Sequence, residues 1–144
     1  MSDTCMSHIE NYWKTLTVTA NESFEKGNLE QALLDYTDAL FRAEVLNNHQ
    51  QESLRLDIPF VQVFIISCNN LSATYEDLGN LDEAEKFLKR VVYYLLHITT
   101  LKTVKEDEIQ RELKKAAILL LNFNKKYDRE KEPKWLGNIT EHFV

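Results

Sequence analysis

Six residues constrain what this chain can fold into more than any others. GNLEQA, at Gly27–Ala32, returns with two changes as GNLDEA at Gly79–Ala84. The chain has only three glycines, and two of them open these copies. Around both copies the apolar residues recur at three- and four-residue steps, the period of a helix with one buried stripe. A glycine just past a helix turns left-handed without steric cost and ends it. Asn28 and Asn80 then stand at the start of the next helix, with Gln31 and Glu83 three residues on, the spacing of a capping box. Leu29 and Leu81 open the next apolar stripe, and Ala32 and Ala84 are small where two antiparallel rods must come close. The phrase is predicted to be the corner of a helical hairpin, used twice.

The stripes divide the chain into five predicted helices. The first, from His8 to Lys26, carries Ile9, Tyr12, Trp13, Leu16, Ala20 and Phe24. The second carries Leu29, Ala32, Leu33, Tyr36, Ala39, Leu40, Ala43 and Leu46. The third opens at Pro59, with Asp57 as its expected cap, and runs through Val61, Phe64, Ile65, Cys68, Leu71, Tyr75 and Leu78. The fourth holds Leu81, Ala84, Phe87, Leu88, Val91, Val92, Leu95 and Leu96. The fifth starts near Lys105, with Glu106, Asp107 and Glu108 in the first turn and Lys125 and Lys126 near the end, the charge order a helix dipole favours. Its stripe is Ile109, Leu113, Ala116, Ala117, Leu120 and Tyr127. No segment alternates with period two over a useful length, and the β-branched run Val61–Ile66 has helical-period neighbours. The fold class is all-α.

Composition narrows the function classes. With 44% hydrophobic and 28% charged residues over 144 positions, the chain can bury a core without disulfides. Cys5 and Cys68 have no close spacing, which fits a reducing, cytoplasmic setting. The start MSDTCMSHIENYW lacks a basic end followed by an apolar run, so no secretory signal is expected. The longest apolar runs, such as Ala116–Leu121, are too short to span a bilayer. Net charge is −6, with −8 on residues 1–100 and +2 on residues 101–144. An acidic body disfavours phosphate backbones, so neither nucleic acid nor membrane is expected as a partner. His8, His49, His97 and His142 show no ligand spacing, there is no glycine-rich phosphate loop, and no metal or cofactor is expected.

The longer phrase ANESFEKGNLEQALLDYTDAL, with Ala20, Phe24, Gly27, Ala32, Tyr36 and Ala39, resembles the tetratricopeptide repeat. NNLSATYEDLGNLDEAEKFLKRVV matches again through Leu71, Tyr75, Gly79, Leu81, Ala84 and Leu88, with Ser72 at the first small position and Val91 where the repeat usually has alanine. The two corners lie 52 residues apart, against about 34 in the family. The surplus of about 18 is close to five turns at about 3.6 residues each, so both flanking helices can lengthen without losing phase. Long second and third helices joined between Asn47 and Pro59 are expected, with a loop at NNHQQES as the alternative.

The resemblance implies antiparallel hairpins stacked as a short right-handed superhelix, working as a non-catalytic interaction module for a peptide or helix of a partner protein. Carried onto this chain, the family's groove positions are Lys14, Thr17, Asn21 and Phe24 on the first helix. On the third they are Ile66, Asn69, Asn70, Ala73 and Asp77, with Gln62 one turn earlier. Lys114 and Lys115 would stand on the far wall. A subset of the family holds a terminal carboxylate with lysine, arginine and asparagine. Asn21 and Asn70 match that subset, and Thr17 stands where its lysine would be.

Other readings stay open. A small acidic chaperone for an exported protein suits the size and the pI of about 5.2, though such chaperones show three evenly spaced repeats. Arg90 and His97 fall at the arginine–six–histidine spacing of HEPN-like helical ribonucleases, with Val91 where those prefer a polar residue. The helical domain is expected over 1–132. The tail over 133–144, with Trp135, Leu136, Ile139 and Phe143, is expected to pack on the last helices, with a homodimer contact as the rival outcome.

Overall fold

A computed structural model of the chain describes residues 1–101, 105–129 and 136, without the side chains of 99–101. Every regular element among them is an α-helix: α1 Asp3–Glu25, α2 Leu29–Asn48, α3 Gln50–Arg55, α4 Phe60–Asp77, α5 Leu81–Leu101 and α6 Glu106–Lys126. The chain divides into two compact units, Met1–Ala84 and Glu85–Val144.

In the first unit, α1 and α2 form a hairpin around Lys26, Gly27 and Asn28. Gly27 has φ +81°, donates to the Phe24 carbonyl at 3.0 Å, and leaves Asn28 N–H to reach the Ser23 carbonyl at 2.8 Å. That pair of bonds is a Schellman closure, which satisfies carbonyls the helix end would otherwise orphan. Gly79 repeats it at φ +82°, with Gly79 N–H to the Glu76 carbonyl at 3.0 Å and Asn80 N–H to the Tyr75 carbonyl at 2.9 Å. Ala32 and Ala84 are both fully buried, as closely approaching rods require.

Helix α2 packs against both α1 and α4. Its buried residues Ala32, Tyr36, Ala39, Leu40, Ala43 and Leu46 include three alanines, which let neighbours approach on either side. Trp13 of α1 donates its indole N–H to Ser67 Oγ of α4 at 2.8 Å, and Ser67 in turn donates to the Val63 carbonyl at 2.8 Å. This buried relay ties α1 to α4 and leaves the indole N–H satisfied.

The connection between α2 and α4 is where the structure departs from expectation. Among the described residues six helices are present instead of five, because Gln50–Arg55 of the polar run forms a short helix of its own. Ser53 is fully buried and donates to the Leu46 carbonyl at 3.0 Å, which folds α3 back on the end of α2. Asp57 is not the cap of the next helix. At φ +55° it closes α3, with Ile58 N–H returning to the Ser53 carbonyl at 2.8 Å, and the N-cap of α4 is Pro59 itself. Aspartate tolerates this left-handed position better than most residues. Arg55 clasps Asp3 with two bonds of 2.6 and 2.9 Å, joining α3 to the start of α1. The guanidinium holds the Asp3 carboxyl below the usual carboxylate range.

In the second unit, α5 buries Phe87, Leu88, Val91, Val92, Leu95 and Ile98, and α6 buries Ile109, Leu113, Ala116, Ala117, Leu120 and Phe123. Arg129, just past α6, donates to Glu85 Oε1 at 3.2 Å. The expected tail over 133–144 lies outside the described residues except for Leu136, which is buried.

Candidate functional site

Helix α4 is buried over most of its circumference, with Phe60, Val61, Val63, Phe64, Ile65, Ser67, Cys68, Leu71, Ser72 and Thr74 all inside. What remains unburied on α4 is Gln62, Ile66, Asn69, Asn70, Ala73 and Asp77, together with Tyr75 and Glu76 near its end; the first six form one stripe. These sit at three- and four-residue steps, so they share a face. Ile66 is 40% exposed, a large apolar side chain left in water on that stripe. The α4 positions expected to line a groove are thus all accessible, and so are Tyr75 and Glu76, which were not among them.

On α1 the expected positions behave differently. Lys14 is exposed and pairs with Glu10 at 3.9 Å, a surface contact worth little. Thr17 is buried. Asn21 is exposed and Phe24 half-buried. Lys114 and Lys115 belong to the second unit, where Lys115 pairs with Glu112 at 3.5 Å.

The structure brings four of the expected residues together. Asn21 and Phe24 from α1, and Asn70 and Ala73 from α4, line one cleft of about 200 Å³ with Glu25 and Tyr36. Tyr36 reaches in from α2 and donates its hydroxyl to Asn21 Oδ1. Burial, and then the nearby Glu25 carboxylate, push the Tyr36 phenol above its ordinary range. Glu25 and Tyr36 were missed because Tyr36 reads as core from its stripe. Glu25 was legible in principle: it lies four residues after Asn21, one turn along the same face.

Wider hollows lie elsewhere in the first unit. One of about 520 Å³ runs along the start of α1 past Cys5, His8 and Tyr12 to Arg42, whose guanidinium lies 4.9 Å from the Tyr12 ring centroid. Another, of about 600 Å³, surrounds the first corner and takes in Leu34 and Leu78. Neither joins the expected groove positions.

Arg90 is half-buried and His97 exposed on α5. Among the described residues no group of three or more His, Cys, Asp or Glu is placed to hold a metal. Cys5 is exposed and Cys68 buried, and neither is in a disulfide. No helix among the described residues is long and apolar enough to cross a membrane.

Among the described residues, fold and cleft together define an all-α protein in which α1, α2 and α4 line a small cleft beside accessible residues of α4. A family model described as "Protein of unknown function (DUF2753)" matches residues 11–141, and the chain belongs to that family. No curated protein and no solved structure matches it.

Proposed function

We propose that this chain is a non-catalytic protein-interaction module, built from two tetratricopeptide-like corners, that binds a peptide or helix of a partner protein along the α1–α4 face. The observation that carries the reading is the α4 stripe. A helix that buries most of its residues keeps Gln62, Ile66, Asn69, Asn70, Ala73 and Asp77 accessible in one row, with Tyr75 and Glu76 open beside its end. Asparagine suits such a row because each carboxamide both donates to and accepts from an extended backbone. Ile66 supplies apolar area beside it, the mixture interfaces use.

The terminal-carboxylate variant of this reading has no support. The position of its lysine is a buried threonine, Thr17, and the cleft contains a carboxylate, Glu25. An anion there would meet like charge.

Affinity capture from the source cell tests the proposal, comparing the parent with a protein carrying Asn69→Ala and Asn70→Ala together. Both side chains are only half-buried, so the fold should hold, within about 0.5 kcal/mol per site. Partner recovery should fall about tenfold, as for a moderate interface hot spot. Recovery of the same partners in undiminished yield would remove the α4 stripe from the interface.

A further inference from the structure

The cleft has a chemistry that says what kind of side chain enters it. The inference rests on the interaction reading above and adds the charge of the partner. Its volume of about 200 Å³ is smaller than the roughly 300–1,000 Å³ of small-molecule sites, so it suits one side chain of a longer segment. Its polar lining is a carboxylate, two carboxamides and a phenol, from Glu25, Asn21, Asn70 and Tyr36, with Phe24 as a second ring. No basic residue lines it.

Glu25 has no ion pair among the described residues, although three of the four basic residues in its unit do: Lys14 with Glu10, Arg42 with Asp38 and Arg55 with Asp3. The unit Met1–Ala84 holds 14 acidic against 4 basic side chains, a net −10, while the remaining residues hold 9 against 13, a net +4. The negative potential is therefore concentrated on the unit that carries the cleft, and Asp77 extends it along the same α4 stripe. Glu25 and Tyr36 line the same cleft, where burial first and the carboxylate second raise the phenol. A carboxylate beside two aromatic rings is the combination that attracts an ammonium or guanidinium, by charge and by the negative ring faces.

We propose that the cleft receives a lysine or arginine side chain from a basic segment of the partner protein, with Glu25 as counter-ion and Asn21, Asn70, Phe24 and Tyr36 as its walls.

The test is a fluorescence-anisotropy titration of the full chain with a labelled peptide of alternating lysine and alanine. Matched glutamine–alanine and glutamate–alanine peptides serve as competitors. The lysine peptide should bind at least about tenfold more tightly than either, the scale of one charge-assisted hydrogen bond. Glu25→Gln, an isosteric change at an exposed site, should weaken it about tenfold. Glu10→Gln, which removes an equal charge fifteen residues and about 22 Å back along α1, should change it less than about twofold, because exposed charges are screened over roughly 10 Å. Equal losses from the two variants would reduce the effect to bulk charge and overturn the proposal. So would no binding of the lysine peptide. Equal binding of the glutamine peptide, lost with Asn69→Ala and Asn70→Ala, would overturn the cation and leave the groove standing. Sedimentation at increasing concentration covers the remaining occupant. Self-association abolished by Glu25→Gln would assign the cleft to the basic unit of a second copy and overturn the foreign partner.

Discussion

The corner at Gly27 and the corner at Gly79 share four of six residues and the same left-handed glycine, yet their side chains are wired differently. Both close with the same two backbone bonds. At the second, Asn80 Oδ1 accepts from the Glu83 N–H at 3.3 Å and caps α5. At the first, Asn28 makes no such bond, and Gln31 turns along the helix to Asp35 at 3.3 Å. The small residue facing the corner differs too. Ala20 packs by carbon alone, whereas Ser72 donates to the Ala84 carbonyl at 2.8 Å. The lesson is that the backbone turn is a local property of glycine after a helix, while the cap depends on where the neighbouring side chain can go.

Three sets of substitutions probe this comparison. The largest effect is expected at the alanines: Ala32→Leu and Ala84→Leu each force extra volume into a fully buried contact. Each should cost about 1–3 kcal/mol in urea unfolding. A loss under about 0.5 kcal/mol at either site would mean that the two corners do not close equally tightly.

Next come the glycines. A Cβ at Gly27 or Gly79 would meet nothing within 4 Å, so Gly27→Ala and Gly79→Ala should cost only the left-handed backbone, about 1–2 kcal/mol each. Matched losses would support a common turn. Clearly unequal values in thermal melts would show that tertiary strain enters at one of them.

The smallest effect should separate the corners. Asn80→Ala removes a real cap and should cost about 1 kcal/mol, while Asn28→Ala should stay within about 0.5 kcal/mol. Equal losses would contradict the different wiring described above.

Much of this was legible before any coordinates. The spacing of Trp13, Leu16 and Ala20, and that of Ala32, Tyr36, Ala39, Ala43 and Leu46, reports burial because a helix returns to the same face every three to four residues. The boundaries of α6 were readable from its acidic start and its paired lysines. The α2–α4 connection was not, because polar residues carry no period. Helix α3 exists through a buried Ser53 hydroxyl and a left-handed Asp57, both set by contacts that composition does not encode. The site was half legible: Asn21, Phe24, Asn70 and Ala73 were expected, while Tyr36 faces both the core and the cleft, so its stripe revealed only one of its roles.

The order of residues alone determined the helical period, the two glycine turns and the charge placed on each half, because these follow from steric and electrostatic properties of neighbours in the chain. Tertiary packing decided which polar side chains remain accessible. Thr17 and Asn21 lie four residues apart on one helix, yet one is buried and the other lines the cleft. The physical reason is that α1 packs on α2 and is tied to α4 through Trp13 and Ser67, and only the approach of separate helices sets where such cover ends.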